Sequence, residues 1–245
     1  MSLRRLLLLA LVSTPVLGKF AYTVTGISYG KPIPPSSIVF EPKALSLHRL
    51  NRTSSVQEKT NLTISTKKLA RQQKNNPVLY SANWCGAVQH PGGDSTNKIT
   101  NVHAHFQIPT VSPRYPGDGA WFLATWVGID RAKWPEALLQ AGILSLLGAD
   151  GIQSNGAWVE WVPDKAYDIP SFPGDNLNQS TAYTVSLVNG SPLGQVDADW
   201  VVEAPMVEGF SIAPYSRFDN VWFKNCSAST TNGTTRGVDG ADMYY

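Results

Sequence analysis

The 245-residue sequence lacks the motifs of several common classes of functional site. Its two cysteines, Cys85 and Cys226, permit one disulfide at most and do not have the spacing of zinc ligands. It contains no G-x-S-x-G nucleophile elbow and no P-loop. The sequence therefore predicts neither a zinc site nor a Walker-type nucleotide site, and it leaves open whether the two cysteines form a disulfide.

Long runs of helix-forming residues are also scarce, whereas residues that favour strands and turns are plentiful. The chain has 20 Gly, 17 Pro, 8 Trp and 9 Tyr, and its 42% of hydrophobic residues suffices for a packed core. Short apolar runs separated by Gly, Pro, Asn and Asp clusters predict an all-β fold, an antiparallel two-sheet β-sandwich. The predicted strands are 80–88, 101–108, 121–129, 137–144, 157–162, 182–188, 198–204 and 221–225.

The first 18 residues have the layout of a secretory signal peptide. Arg4 and Arg5 precede the apolar run 6–12, and small residues follow up to a predicted cleavage site near Gly18. The apolar run is too short to span a membrane. We therefore expect a secreted, extracellular protein without a membrane partner. Six N-x-S/T sequons are compatible with this route, at Asn51, Asn61, Asn178, Asn189, Asn225 and Asn232.

Charge divides the remaining chain into two parts. Residues 19–75 carry ten Lys and Arg against two Glu, a formal charge of +8, whereas residues 76–245 carry eight Lys and Arg against sixteen Asp and Glu, a formal charge of −8. This division predicts a basic propeptide, 19–76, held partly by charge on an acidic domain, 77–245. Below about pH 4 the carboxylates protonate, so acid is expected to release the propeptide. Nucleic-acid binding by the basic segment is the alternative, which we do not expect in a secreted chain.

Polar side chains recur within the predicted apolar strands. Gln140 lies among Leu138, Leu139 and Ile143, and a buried amide needs partners for both its nitrogen and its oxygen. It either joins strands or meets a group that is not protein. Because strand residues alternate between faces, Glu160 shares a face with Trp158 and Val162, and Glu203 shares one with Asp199 and Val201. Carboxylates and an amide are thus expected beside aromatic side chains.

Five motifs occur in an order that resembles the eqolisin family of glutamic peptidases, over residues 83–242. They are NWCGAV (83–88), WVGID (126–130), LLQAG (138–142), AWVEWVP (157–163) and ADWVVE (198–203). The resemblance implies a concanavalin-like β-sandwich with a cleft over one curved sheet, and no metal or organic cofactor. It also implies a catalytic dyad of Gln140 and Glu203, with Trp126, Asp130 and Glu160 as substrate-binding residues of the cleft.

The implied activity is that of a pepstatin-insensitive endopeptidase active at acid pH. Glu203 as a carboxylate takes a proton from the attacking water and delivers it to the leaving nitrogen, while Gln140 orients the water and donates to the oxyanion. Nearby Asp130 and Glu160 favour acid pH, because close carboxylates resist joint ionisation. We expect a monomer whose partners are polypeptide substrates and its own propeptide.

The sequence departs from the family pattern at four points, and these leave alternatives open. Cys85 stands where a small residue is expected, Arg131 where a Gly is expected and Asp199 where a Glu is expected, and the interval between Gly174 and Asp199 is short by about a strand or a hairpin. An inactive paralogue and a carbohydrate-binding sandwich with exposed tryptophans remain alternatives. A glycoside hydrolase that uses two of the site carboxylates is the third.

Overall fold

The computed structural model describes residues 31–34, 77–115, 119–169, 190–206, 213 and 215–245 in full, and the backbone of 21–28, 41–42 and 181–188. This part of the chain consists of strands and turns and contains no helix, which confirms the all-β prediction. The described residues accordingly include no helix that is long and apolar enough to cross a membrane. The predicted signal peptide and most of the predicted propeptide lie outside the described residues.

A nine-stranded sheet forms the centre of the molecule. All its neighbouring strands are antiparallel except the last pair, β17 and β4, which are parallel. Its longest strands, β8 to β10, follow one another in the chain as a meander, so short connections place them side by side. From one edge to the other the strands are β3 (Glu41–Pro42), β11 (Tyr167–Ile169), β10 (Gln153–Val162), β9 (Leu138–Leu147), β8 (Trp121–Ile129), β13 (Ala198–Glu203), β5 (Trp84–Gln89), β17 (Asp242–Tyr244) and β4 (Val78–Leu79).

A smaller sheet packs against one face of the nine-stranded sheet. It consists of β6 (Ile99–Phe106), β15 (Phe223–Thr230) and β16 (Thr235–Arg236). Ile99 and Ala228 of this sheet pack with Trp200 and Ile129 of the large sheet in one buried cluster. The Trp200 indole donates a hydrogen bond of 2.9 Å to the carbonyl oxygen of His103, which ties the two layers together. These contacts form the interior of the sandwich.

Two further small sheets complete the described part. The strands β7 (Val111–Ser112) and β14 (Arg217–Phe218) pair beside the sandwich. The third sheet contains β1 (Ala21–Ser28), β2 (Lys31–Pro32) and β12 (Thr181–Val188). Its strands β1 and β2 come from the predicted propeptide, so that segment contributes regular structure.

The opposite face of the nine-stranded sheet carries a second buried cluster, which we call the site face. Strand register decides which residues lie there, because directly opposed residues of neighbouring strands point to the same side. Val201 is opposite Trp126, and Trp126 is opposite Gly142. The site face holds Trp84, Val88, Ala124, Trp126, Leu138, Gln140, Leu144, Trp158, Glu160, Val162, Asp199, Val201 and Glu203.

Candidate active site

Trp126 lies at the centre of the site face and is fully buried. Gly142, its neighbour on β9, makes room for it, because a Cβ there would lie 2.5 Å from the Trp126 Cβ and 2.3 Å from the Thr125 carbonyl oxygen. Trp84 of β5 packs edge-on against Trp126, with ring centroids 5.1 Å apart. Packing and a glycine together fix the position of the indole.

Glu203 ends β13 beneath this aromatic pair and is 1% exposed. Trp126 Nε1 donates to its Oε2 at 2.8 Å, and Asn83 Nδ2 donates to its Oε1 at 3.0 Å. Each carboxyl oxygen therefore accepts an N–H from a buried side chain. Asn83 belongs to the NWCGAV motif but was not predicted as a site residue, since nothing in the sequence pairs it with a residue 120 positions away.

The protonation state of Glu203 follows from two opposing influences. Burial raises its pKa from its ordinary value to about 8, whereas the hydrogen bonds from Trp126 and Asn83, the nearby Trp84 indole and the positive charge of Arg131 lower it. In the buried arrangement, the carboxyl group is neutral in acid. If water reached the site face, the burial effect would shrink and the N–H donors would favour the carboxylate.

Gln140 and Glu160 form the second polar pair of the site face. They are directly opposed on β9 and β10, and both are at least 98% buried. Gln140 Nε2 donates to Glu160 Oε2 at 2.7 Å. Gln140 Oε1 is buried and accepts no hydrogen bond within the described part of the chain. The pair thus fixes the direction of the amide and leaves its oxygen available.

One strand, β8, separates the two polar pairs. Gln140 is opposite Gly128 and Glu203 is opposite Ala124, so the two residues are offset by four positions, about 13 Å along a straight strand. Trp126 lies on β8 midway between Gly128 and Ala124, the residues opposite Gln140 and Glu203. Its indole reaches towards Gly128, where a Cβ would lie 3.0 Å from Cζ3, while its Nε1 binds Glu203. Gln140 and Glu203 therefore share a face, and Trp126 lies between their positions along β8.

Asp130 lies apart from these pairs, at the end of β8. It is fully buried, and its Oδ1 and Oδ2 accept the backbone N–H groups of Val196 and Gln195, both at 2.8 Å. It therefore anchors the loop 190–197, which leads into β13. This loop is the C-terminal part of the short interval between Gly174 and Asp199. Trp161 of β10 also holds it, because its Nε1 donates to Ser191 O at 2.9 Å.

Asp130, Asp197 and Asp199 are all fully buried, and we call them the aspartate cluster. Asp197 accepts the backbone N–H groups of Ala132 and Lys133 at 3.2 and 3.0 Å. Burial is the main cause that raises the pKa of each member, and it raises that of Asp199 well above its usual range, with the charge of Asp197 as the next cause. Asp197 was not predicted as a site residue, although the sequence shows a D-x-D spacing after a loop with Pro and Gly.

Arg131 follows Asp130 in a backbone conformation that favours glycine, with φ of 106°. Its guanidinium donates to the carbonyl oxygen of Pro135, and its charge acts on Glu203. The family pattern has a Gly at this position, and glycine adopts this φ without the steric cost of a side chain. The described part of the chain contains no group of three His, Cys, Asp or Glu arranged to hold a metal ion.

The cysteines and tryptophans bear on the questions left open by the sequence. Cys85 and Cys226 are free thiols. All eight tryptophans lie in the described ranges, and only Trp222 is exposed. The tryptophans of the site face are buried, so no row of exposed indoles supports the carbohydrate-binding alternative.

Comparisons with known proteins identify the family of this chain. The model of the Peptidase A4 family matches residues 82–177 and 174–245, two segments that meet at the start of the short interval. Aspergillopepsin-2 of Aspergillus niger is 30% identical over 204 residues, 67% of this chain and 70% of that protein. The fold resembles a crystal structure of scytalido-glutamic peptidase with a peptide-based transition state analog. The TM-score is 0.50 at 22% identity, over 66% of this chain and 86% of that one. The chain therefore belongs to the Peptidase A4 family, the eqolisins, and is a glutamic-type endopeptidase.

Proposed function

We propose that the protein is a secreted endopeptidase that cleaves polypeptides in acid with Gln140 and Glu203 as its catalytic dyad. The observation that carries this proposal is the pair of N–H donors, Trp126 and Asn83, on the two oxygens of Glu203. Such donors match an ionised carboxylate, the form that a general base needs. Gln140 lies on the same face with its Oε1 available for a water molecule.

In the proposed reaction both the amide of Gln140 and the carboxylate of Glu203 take part. The reaction requires the opened site face to bring Gln140 Oε1 and the Glu203 carboxylate within reach of one water molecule, and Glu203 then takes its proton as the oxygen attacks the peptide carbonyl. The Gln140 amide has two N–H bonds, of which one is held by Glu160. The other donates to the developing oxyanion, and Glu203 then returns the proton to the leaving nitrogen.

The neighbouring residues position the dyad. Glu160 fixes the orientation of the Gln140 amide through the 2.7 Å hydrogen bond. Trp126 spans the space between Gln140 and Glu203 and supports both the carboxylate and a bound peptide. Asp130 contributes through the loop 190–197 that it anchors, and this loop sets the start of the strand that ends in Glu203.

Activation requires the site face to open to water. In the buried arrangement the pKa of Glu203 is about 8, so its carboxyl group would be protonated in acid and could not act as a base. Exposure removes the main cause of the raised pKa and leaves the N–H donors, which favour the carboxylate. We propose that loss of the basic segment 19–76 accompanies this opening, with residues 1–18 as a signal peptide.

Pro77 marks the predicted junction between propeptide and domain. Its carbonyl oxygen accepts the N–H of Met243 at 2.8 Å, and Leu79 accepts that of Tyr245 at 3.3 Å. The chain from Pro77 onward is therefore tied to the C-terminal strand of the large sheet. A cut between Arg71 and Pro77 would leave these bonds intact, which supports a domain that begins at residue 77.

Digestion of a denatured protein at about pH 3, below the reference pKa of carboxyl groups, tests the dyad. We expect the wild type to digest the substrate in the presence of pepstatin. Gln140→Ala and Glu203→Gln should each lose about 100-fold or more of the rate. Glu136→Gln is the matched control, because Glu136 is exposed in the loop before β9 and should be neutral.

Circular dichroism of each variant separates lost catalysis from lost folding. Full activity of a folded Glu203→Gln variant would refute the dyad. A folded wild type without activity at any pH, even after removal of residues 19–76, would instead favour an inactive paralogue.

A further inference from the structure

The N-terminal segment contains a strand that pairs with the domain over its whole length. Strand β1 runs antiparallel to β12 with eight consecutive residue pairs, from Ala21 opposite Val188 to Ser28 opposite Thr181. Within the described residues, β12 lies at the edge of its sheet and has β1 as its one neighbour. The backbone groups of β12 on that side are therefore satisfied by the segment.

The two strands suit each other in composition. Both contain the tetrapeptide AYTV, at 21–24 and 182–185, and both are rich in the β-branched and aromatic residues that favour strands. The register places Val24 opposite Val185 and Thr25 opposite Thr184. The pairing thus follows from the sequences of the two strands as well as from the topology.

A second contact of the same kind lies at the edge of the nine-stranded sheet. There β3 of the N-terminal segment adds to β11, with Glu41 opposite Asp168 and Pro42 opposite Tyr167. Without β3, the last strand on this side would be β11, whose N–H and C=O groups would face outward. Between β1 and β3, Ile33 of the segment is 7% exposed.

From this geometry we infer that residues 21–28 and 41–42 are bound to the domain as added strands, through backbone pairing with β12 and β11. At neutral pH this part of the segment stays on the domain when the chain is cut before Pro77, and its loss requires acid as well as the cut. Addition of an extended peptide to a sheet edge is a common mode of peptide recognition, and β3 adds to the large sheet in this way, whereas β12 has only β1 as a partner within the described residues. The occupant of both positions is the chain's own N-terminal segment, and this inference rests on the proposed propeptide only for the position of the cut.

Strand pairing and charge attraction respond differently to salt. The +8 segment and the −8 domain attract each other over a distance that shrinks to about 3 Å at 1 M salt. Backbone hydrogen bonds between paired strands do not depend on that attraction. The salt dependence of binding therefore distinguishes the inferred strand addition from a segment that is held by charge alone.

Hydrogen exchange of the full chain, followed by mass spectrometry at neutral pH in 1 M NaCl, tests the pairing. We expect slow exchange in both 21–28 and 181–188. The double variant Val24→Pro/Thr25→Pro should remove protection in 181–188, because two consecutive prolines lack N–H groups and have a fixed φ that breaks the pairing, so β1 carbonyl oxygens no longer accept the N–H groups of β12. Protection in 138–147, within the large sheet, should persist.

The control variant Val24→Ala/Thr25→Ala keeps both N–H groups and should preserve the protection. A chain with a site-specific protease sequence in place of residues 71–76 completes the test. After cutting, the N-terminal fragment should co-elute with the domain in 1 M NaCl. Release of the wild-type fragment, or unchanged exchange in 181–188 of the proline variant, would overturn the inference. Neither hydrogen exchange nor co-elution depends on proteolytic activity. Both therefore test the strand pairing even if Gln140 and Glu203 are not the catalytic dyad.

Discussion

Arg131 is held in a backbone conformation that costs a residue with a side chain more than it costs glycine. Its φ of 106° lies outside the regions that L-residues normally occupy. We expect Arg131→Gly to be more stable than Arg131→Ala by about 1 kcal/mol, because both variants lose the guanidinium contacts and only alanine keeps the strain. Urea unfolding of the two variants measures this difference.

The same pair of substitutions at Glu136 provides the control. Glu136 is exposed in the same loop and is not among the residues with positive φ. There the alanine variant should be the more stable one, because glycine adds freedom to the unfolded chain. If glycine were not the better residue at position 131, strain would not explain the departure from the family pattern.

The sequence predicted the residue types of the site better than their contacts. Motif order indicated Gln140, Glu203, Trp126, Asp130 and Glu160 as a group, and strand alternation placed Glu160 and Glu203 beside aromatic residues. The contacts themselves depend on strand register, which brings Glu160 to Gln140 and Trp126 to Glu203. Asn83 and Asp197 were missed, because their roles arise only when distant segments meet.

At the scale of one element, the loop 190–197 depends on Asp130. The carboxylate satisfies the N–H groups of Gln195 and Val196. We expect Asp130→Ala to leave both donors without their acceptor, to destabilise the protein by about 1 to 3 kcal/mol and to speed exchange of these two amides. Urea unfolding and amide exchange by NMR provide the two readouts.

Asp94 offers a matched control for this prediction. It also accepts two hydrogen bonds, from the N–H and the hydroxyl of Thr96, but it is exposed. Water replaces those bonds in Asp94→Ala, so its stability should change by no more than about 0.5 kcal/mol. Unaltered exchange at Gln195 and Val196 in Asp130→Ala would show that other contacts hold the loop.

Strand predictions succeeded where apolar residues recur and failed where polar residues prevail. The predicted strand 182–188 agrees with β12, and 121–129 agrees with β8. By contrast, 157–162 covers only the second half of β10, because the first half, QSNG, reads as a turn. The predicted strand 221–225 stops where β15 continues through NCSAST. In both strands, pairing with a neighbour stabilises residues whose own preference is for turns.

The position of β1 could not be predicted from local pattern. Residues 21–28 alternate like a strand, but the charge of the surrounding segment favoured a removable propeptide bound electrostatically. Pairing with β12, about 160 residues away in the chain, is a long-range choice that depends on which edges the domain leaves open. The segment is therefore both basic, as predicted, and part of the described β-structure.

At the scale of the whole molecule, four buried carboxyl groups act on stability in the same direction. Burial raises the pKa of Asp130, Asp197, Asp199 and Glu203, the last to about 8. Each group therefore holds its proton more tightly in the folded chain than in the unfolded one. Among the facing charged groups, His90 lowers the pKa of Asp197, but less than burial raises it. His90 and Lys133 contact Asp242 at 3.1 and 3.6 Å.

The full chain should be most stable in acid and should lose stability as pH rises. From about pH 4, where unfolded carboxyl groups ionise, to about pH 8, where Glu203 ionises in the fold, the folded state binds more protons than the unfolded state. The slope of the unfolding free energy with pH is therefore negative over this range. We expect the melting temperature, measured by calorimetry, to fall steadily across it.

Asp199→Asn tests which group is responsible for this decline. Asp199 is fully buried, and within the described residues its two carboxyl oxygens accept no hydrogen bond. The neutral asparagine amide should therefore stabilise the fold as well as the protonated acid does. The variant should equal the wild type near pH 4 and exceed its melting temperature at pH 7, because it avoids ionising a buried group beside Asp197. The exposed Asp239→Asn change should leave the pH dependence as it is. A decline of the same steepness in Asp199→Asn would assign the pH dependence to Glu203 and the other two aspartates, since these would then carry the whole difference in bound protons.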